Sequence, residues 1–321
     1  MYFIGIRSKP KIALVYNDRS QIFKNCYISQ LHEALKRRFQ IVYVPEKRLE
    51  AGERLSGYGV ISVFVILKSR TWKRCISHLR DMFGDKELIF YDQDPWESYH
   101  DDGICRGVYK EVAQHLNVGH FFITSQFWST YVARVDELPT QYVRMGMLPR
   151  LCSYGKAPSR RNTLIGFQGT LHQNRKEFFD RVGQFGLNVT LMKSASHKSY
   201  LKNLRRMKIF LHSENPKLTI EGSRIDLNAT WIKDLEVASQ GCFAIRSWDV
   251  EADKYGIEAI PLIKSFRDES EIPNLVEEVL SMSTVQTRDE VEESVDRIKA
   301  RDDWDQLAHA VANPGGSSYR F

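Results

Sequence analysis

Apolar runs and helically spaced apolar positions follow one another along the chain and predict strands that alternate with helices. Strands are predicted where apolar residues stand together in a short run, and helices where they recur at helical spacing. Tyr58–Leu67 is apolar almost throughout, as is typical of a strand buried on both faces. In the first half the predicted strands are Lys11–Tyr16, Gln40–Val44, Tyr58–Leu67, Glu87–Tyr91, Phe121–Thr124 and Tyr142–Pro149.

The same alternation begins again after Cys152–Asn162, a stretch rich in glycine, proline, serine and basic residues that is typical of a linker. Strands and helices in repeated order predict parallel sheets of the doubly wound α/β class. We therefore predict two such domains, 1–151 and 163–300, and a C-terminal helix with a mobile tail at 301–321. Glu214–Thr230 is predicted to be a loop, and Asp249–Gly256 with Ile260–Ile263 to carry a last short strand region.

Composition and charge narrow the class of protein. With 321 residues, of which 42% are hydrophobic, the chain is long enough for two folded domains. Its apolar runs are far shorter than the roughly eighteen residues of a membrane helix, and no secretory signal is visible, so we expect a cytoplasmic protein without a transmembrane span. The five cysteines lack CxxC spacing, which argues against a zinc site. A net charge of +6 suits anionic nucleotides, nucleic acid or an acidic membrane surface.

The stretch 164–181, LIGFQGTLHQNRKEFFDR, runs from an apolar strand through a glycine turn into a basic helix. Gly169 lets the backbone turn where a side chain would obstruct a ligand, and Thr170 offers a hydroxyl. The N–H groups of the helix start, its positive dipole end and the Arg175 guanidinium together suit a diphosphate. Such turns also occur in α/β proteins that bind nothing, so a purely structural role stays open.

A second candidate stretch, 231–246, carries Lys233 and Glu236 on one face of a predicted helix, because the two residues are three positions apart. One interpretation is a surface ion pair of little energetic weight. The other is a ligand site in which Lys233 meets a phosphate and Glu236 accepts hydrogen bonds from the two ribose hydroxyls.

Carboxylates cluster directly after the predicted strand Glu87–Tyr91 in the sequence. Asp92 follows its apolar run, and Asp94 precedes Pro95. Ligand sites of parallel sheets lie at the carboxyl ends of strands, so Asp92 is the first candidate for a general base and Asp94 the second. Partial burial would raise the pKa of Asp92 towards that of a base, whereas Asp94 is held extended by Pro95. A solvated acidic turn is the alternative.

Three segments resemble the donor-binding domain of GT-B glycosyltransferases, and within that group the CgeB-like proteins and phage DNA glucosyltransferases. They are FQGTLHQNRKEFF, KIFLHSE and WIKDLEVASQGCFAI, and IFYDQDPWE in the first half is similar more loosely. The resemblance implies two Rossmann-like domains that face a cleft and a nucleotide-sugar donor such as a UDP-sugar. It also implies that Gly169, Thr170 and Arg175 hold the diphosphate, that Lys233 assists and that Glu236 holds the ribose.

The resemblance also bears on mechanism. The DNA glucosyltransferases invert with an aspartate base after a first-domain strand, and Asp92 stands at that place. Retaining members often have two glutamates eight positions apart, whereas the position eight before Glu236 is Asn228. We therefore expect inversion with Asp92 or Asp94 as base, no cofactor beyond the donor and no required metal, although the DQD triplet at 92–94 leaves a metal open.

The predicted function is transfer of a hexose or pentose from a nucleoside-diphosphate sugar to an acceptor hydroxyl. The acceptor stays open between a glycan, a lipid-linked glycan and modified DNA. One alternative is a sugar-nucleotide epimerase on the same fold. Another is a non-enzymatic nucleic-acid-binding protein that uses the segment RTWKR, 70–74, although this segment also fits the exposed start of a helix with a buried tryptophan.

Overall fold

The chain forms two compact units, each with its own parallel sheet. The computed structural model describes residues 9–17, 26–52, 59–84, 86–101, 103, 105–193, 196–213, 217–227 and 232–315. The first unit comprises Met1–Ile22, Leu31–Val143 and Asp305–Phe321, and the second comprises Phe23–Gln30 and Arg144–Trp304. The linker expected at 152–162 therefore lies inside the second unit.

The sheet of the first unit has six strands: β1 (Lys11–Tyr16), β2 (Gln40–Pro45), β3 (Ser62–Val65), β4 (Leu88–Asp92), β5 (Val118–Ile123) and β6 (Thr140–Tyr142). Their order is β2-β1-β3-β4-β5-β6, and every pairing is parallel. Because β1 pairs with β2 on one side and β3 on the other, the direction of winding reverses between β1 and β3. Ligands of such sheets bind at the carboxyl ends of strands near this point.

The second unit has a five-stranded parallel sheet in the order β13-β12-β9-β7-β8 and a separate hairpin, β10-β11. Here the winding reverses between β7 and β9, so the carboxyl end of β7 is the place where a ligand is expected. The strands are β7 (Thr163–Gln168), β8 (Thr190–Met192), β9 (Met207–His212), β10 (Lys217–Ile220), β11 (Ser223–Asp226), β12 (Phe243–Ser247) and β13 (Ile263–Phe266).

Helices alternate with the strands of both sheets, and their apolar positions supply the packing. In the helix Ser69–Phe83, for example, Trp72, Ile76 and Leu79 recur at helical spacing and are buried. The helices are α1 (Tyr27–Arg38), α2 (Glu46–Glu50), α3 (Ser69–Phe83), α4 (Val108–His115), α5 (Gln126–Val135), α6 (Gln173–Gln184), α7 (His197–Leu204), α8 (Ile232–Ala238), α9 (Val250–Lys254), α10 (Ile272–Ser281), α11 (Thr284–Lys299) and α12 (Asp303–Ala312). The parallel sheets confirm the predicted α/β class.

The prediction of a loop over Glu214–Thr230 is wrong for the described part of this segment, which forms the hairpin β10-β11. The strands pair antiparallel and are joined by Glu221 and Gly222, which have φ values of 50° and 75°. Two consecutive residues in the left-handed region are what a tight hairpin turn requires. The predicted loop residues 214–216 and 228–230 lie outside the described residues.

Two other predicted strand segments take different structures. Asp249–Gly256 contains the helix α9, because the Asp249 carboxylate accepts a hydrogen bond of 2.7 Å from the Ala252 N–H and caps the helix start. In Tyr142–Pro149 the strand ends at Tyr142. The Val143 N–H still donates to the Ile123 carbonyl of β5 at 2.9 Å. Further on, the Leu148 N–H donates to a side chain, Gln30 Oε1, at 2.8 Å.

None of the helices in the described ranges has both the length and the hydrophobicity that crossing a membrane requires.

Candidate active site

The strand β7 ends in the predicted glycine turn, and the Phe167 ring lies against this turn. Phe167 is 1% exposed and packs on Phe210, with ring centroids 5.5 Å apart. A methyl group at Gly169 would come within 3.0 Å of the Phe167 ring. Glycine at 169 therefore allows the backbone to pass close over the ring at the carboxyl end of the strand.

Two cations from different helices converge on the same ring. The Arg175 guanidinium carbon lies 5.5 Å and the Lys233 Nζ 5.7 Å from the Phe167 ring centroid. Arg175 also donates a hydrogen bond of 2.6 Å to the Thr170 carbonyl, which ties the helix α6 back to the turn. Like charges repel, so the arrangement gives this end of β7 a strong preference for an anion.

Glu236 lies one helical turn beyond Lys233 on α8 and is 7% exposed. Its Oε1 is 3.4 Å from the His197 Nε2, and the Tyr200 hydroxyl lies close enough to affect its pKa. Burial raises the pKa of Glu236 to about 7, against the opposing effects of Lys233 and Tyr200. Burial also lowers the pKa of His197 to about 4, so its imidazole is neutral at pH 7. Because Glu236 is buried, the interpretation of Lys233 and Glu236 as a surface ion pair does not fit the structure.

Gln168, the last residue of β7, has a buried side chain that the described part of the chain leaves without a hydrogen-bond partner. It is 3% exposed, and neither its amide nitrogen nor its amide oxygen makes a hydrogen bond to the described residues. An unpaired buried amide costs about 1–3 kcal/mol. Such a group beside the turn is well suited to bond a ligand that enters there.

The helix α8 is held in place by a buried charge network on Asp234, which is 0% exposed. The Asp234 carboxylate forms a hydrogen bond of 2.8 Å with the His212 Nε2 and an ion pair of 3.1 Å with the Arg246 Nε, and Arg246 in turn pairs with Asp249. Burial alone would raise the pKa of Asp234, but Arg246 and His212 outweigh it and the pKa is lowered. The network therefore fixes the rotation of the helix that carries Lys233 and Glu236.

The two carboxyls at the end of β4 share one turn in the first unit. Asp92 is 3% exposed; its Oδ1 accepts from the Asp94 N–H at 3.0 Å and its Oδ2 from the Tyr109 hydroxyl at 2.9 Å. Asp94 is half-buried. Burial raises the pKa of Asp92 to about 7, helped by the charge of Asp94, and burial raises the pKa of Asp94 to about 6. Both carboxyls have pKa values suited to proton transfer near neutral pH. The Asp94 carboxyl is the more exposed of the two.

The five residues predicted for a donor site thus form one cluster at the end of β7. Thr170 joins it through Arg175, and Glu236 through Lys233. Asn228 lies outside the described residues. Sequence reasoning missed the polar neighbours of the cluster, which are Gln168, His197 and Tyr200. A signal existed only for Gln168, a polar residue that ends an apolar strand directly before the glycine.

The segment 70–74 forms the first turns of α3, with its tryptophan inside the protein. Trp72 is 0% exposed and donates from Nε1 to the Leu67 carbonyl at 2.8 Å. The indole is therefore not available to stack on a base, and the prediction of an exposed helix start with a buried tryptophan is confirmed.

No known family model and no curated protein matches the sequence. Solved structures do match. HepE of Anabaena in complex with UDP and glucose has a TM-score of 0.61 at 10% identity, over 95% of this chain and 98% of that one. Sucrose-phosphate synthase of Thermosynechococcus elongatus has a TM-score of 0.60 at 13% identity, over 95% and 98%. An α-glucosyltransferase in complex with UDP and a 13-mer DNA has a TM-score of 0.54 at 8% identity, over 90% and 94%. The likeness shows that the chain has the GT-B fold, as the resemblance implied.

Proposed function

We propose that this chain is a glycosyltransferase that moves a sugar from a UDP-sugar to an acceptor hydroxyl. The observation that carries the proposal is the convergence of Arg175 and Lys233 on the Phe167 ring, beside Gly169 and at the point where the sheet reverses. The similar HepE structure holds UDP and glucose, which agrees with a uridine nucleotide here.

In this proposal the cluster at the end of β7 binds the nucleotide. Arg175, Lys233 and the N–H groups at the start of α6 meet the diphosphate, with the Thr170 hydroxyl beside them. Glu236 accepts hydrogen bonds from the ribose hydroxyls, and the free amide of Gln168 bonds the donor as well. Since the two cations offset the charge that develops on the departing diphosphate, transfer needs neither a metal nor another cofactor.

The acceptor hydroxyl is a weak nucleophile until its proton is removed, and the carboxyls at the end of β4 supply the base. Asp94 is the better placed of the two, because its side chain is half-buried whereas both oxygens of Asp92 already accept hydrogen bonds. Asp92 then positions the turn by accepting from the Asp94 N–H. A single displacement of this kind inverts the anomeric centre.

The alternatives considered from the sequence are less well supported. A sugar-nucleotide epimerase would change the donor without any acceptor, whereas a transferase consumes donor in proportion to acceptor. A nucleic-acid-binding protein that stacks bases on the segment 70–74 is disfavoured by the burial of Trp72.

Calorimetric titration with UDP, GDP and dTDP tests the donor site. We expect UDP to bind and Arg175→Ala to weaken binding roughly ten- to a hundredfold, because one charged contact to a phosphate is lost. Lys176→Ala is the matched control, since this exposed lysine is the next residue of α6. Transfer from UDP-glucose is then followed in EDTA, where the rate should be unchanged. If none of the three nucleotides binds the wild type, the proposed function is wrong.

A further inference from the structure

The first unit contains a basic cavity that the proposed donor site does not use. Its volume is about 390 Å³, within the range of roughly 300–1,000 Å³ that is usual for ligand sites. Four of its lining side chains are cations, and none of the described side chains that line it is acidic. The residues that line it include Ser69, Arg70, Lys73, Arg74, Cys105 and Arg106.

The cations are held by acidic partners outside the cavity. Lys73 Nζ lies 2.9 Å from Glu111 Oε2, and Arg106 Nη1 lies 3.8 Å from Asp101 Oδ1. The Lys73 and Arg106 side chains are 71% and 59% exposed, so these two ion pairs are weak and orient the cations. Arg74 pairs with Glu46, which is 10% exposed, and with Glu50, so its charge is partly neutralised.

Ser69 adds a buried hydroxyl that none of the described residues satisfies. It is the first residue of the helix α3, is 1% exposed and lines the cavity. Its Oγ makes no hydrogen bond of acceptable geometry to the described residues, and the group beside it is the weakly polar Cys105 thiol. The helix start has no side-chain cap, since Lys68 stands at that position. The hydroxyl and the helix N–H groups are thus donors that suit an anion.

The cavity adjoins the carboxyl pair at the end of β4. Arg70 is close enough to Asp94 to lower its pKa, in opposition to burial and together with Lys68. The Cys105 thiol, which also lines the cavity, interacts with the charges of Glu97 and Asp92. An anion in the cavity would therefore place the rest of its molecule near the proposed base.

We propose that this cavity binds a phosphate group of the acceptor. Guanidinium forks, an ammonium, helix N–H groups and a hydroxyl together offer more donors than a carboxylate can accept, and they match the oxygens of a phosphate. The phosphate belongs either to a phosphorylated sugar or to a nucleic acid backbone, which present the same chemistry. That this phosphate belongs to an acceptor rests on the proposed function. Phosphate binding in the cavity does not depend on it.

Titration of the full chain with inorganic phosphate, followed by NMR or calorimetry, tests the site itself. We expect Arg70→Ala and Arg106→Ala each to weaken phosphate binding roughly ten- to a hundredfold, and Arg70→Lys to restore part of the loss. Arg80→Ala is the control, because Arg80 lies in the last turn of the same helix with its side chain 58% exposed. No phosphate binding by the wild type, or an equal loss in the control, would overturn the proposal.

Transfer assays with UDP-glucose separate the sources of the phosphate. A hexose 6-phosphate, the unphosphorylated hexose and a duplex oligonucleotide are compared as acceptors, with UDP affinity measured in parallel. We expect a KM for the phosphorylated acceptor at least tenfold below that of its unphosphorylated counterpart, and Arg70→Ala should raise the former alone. If UDP fails to bind but phosphate binding depends on Arg70, the transferase is wrong and the phosphate site stands. If UDP binds and an acceptor without phosphate is used equally well, the role of the cavity is wrong.

Discussion

Of the two carboxyls at the end of β4, that of Asp94 is the more exposed, since Asp92 is 3% exposed and already accepts two hydrogen bonds. We predict that Asp94→Asn lowers turnover by about 10²–10⁴-fold with UDP affinity unchanged, because the base acts on the acceptor. Asp92→Asn keeps an acceptor oxygen for the Asp94 N–H and should cost about tenfold or less.

The pH profile and the product provide the checks on this assignment. A base must be deprotonated, so kcat/KM should rise with pH through about 6, the pKa to which burial raises Asp94. NMR of the product should show the inverted anomer. If Asp92→Asn has the larger effect and the rise lies near pH 7, Asp92 is the base, as the sequence first suggested.

Glu236 makes the folded protein less stable as the pH rises. Its folded pKa of about 7 lies above the ordinary 4.5, so between these values the folded state binds more protons and stability falls with increasing pH. The shift corresponds to about 3 kcal/mol at pH 8. We predict that Glu236→Gln raises the free energy of unfolding at pH 8 by up to that amount and has little effect at pH 4. Urea denaturation at the two pH values measures this.

The same substitution should weaken the binding of UDP more than that of its 2′,3′-dideoxy analogue. Equal losses for the two nucleotides would remove Glu236 from the ribose site, whatever the stability measurements give. A gain in stability together with a loss of ribose recognition is the pattern expected where a buried carboxyl is kept for binding.

At the scale of elements, the short helix α8 carries both a buried anchor and two residues of the proposed donor site. Asp234 faces the buried partners His212 and Arg246, whereas Lys233 and Glu236 belong to the cluster around the β7 turn. Removing one partner of a buried ion pair leaves the other charge uncompensated. We therefore predict that Asp234→Ala costs about 3–5 kcal/mol in urea denaturation and weakens UDP binding as well.

The control for this prediction is Glu293→Ala on α11. Glu293 pairs with Arg297 at 2.6 Å, but both side chains are 51% exposed, so the loss should be about 0.3–0.5 kcal/mol. A similar cost for both substitutions would mean that the Asp234 network contributes no more than a surface pair.

Elements with a strong apolar pattern were predictable from sequence, and those fixed by single polar groups were not. The strand β7 follows its apolar run, and the segment 70–74 lies at the start of α3, as its pattern indicated. The hairpin strand β11 has mostly exposed positions, so no alternation marks it. The helix α9 is only five residues long, too short for a helical pattern of apolar residues to show. Its start is capped by one hydrogen bond to Asp249.

The site was predictable only where its residues are close in sequence. The glycine turn followed by Arg175 and the pair Lys233 and Glu236 are local patterns. The pairing of Glu236 with His197 and Tyr200 depends on the packing of α7 against α8, which no local pattern records. The lack of a partner for Gln168 is likewise a tertiary property.

At the scale of the whole molecule, the alternation of strands and helices predicted two parallel sheets, but it could not assign every segment to its unit. The chain passes from one unit to the other after residues 22, 30, 143 and 304. Periodicity shows that a helix has an apolar face and does not show which sheet covers that face. For this reason α1 and α12, which both cross the division, could not be placed from sequence.

The second unit is built from two separate parts of the chain, and this has a consequence for how its gene can evolve. Gln30, far from the rest of that unit in sequence, is 0% exposed, and its Oε1 accepts from the Leu148 N–H at 2.8 Å and the Trp304 Nε1 at 3.4 Å. A gene segment that encodes 144–304 alone would leave both donors without this acceptor. Recombination that exchanges 144–304 as one cassette would therefore destabilise the second unit, so we expect the two parts of this gene to share a single genealogy.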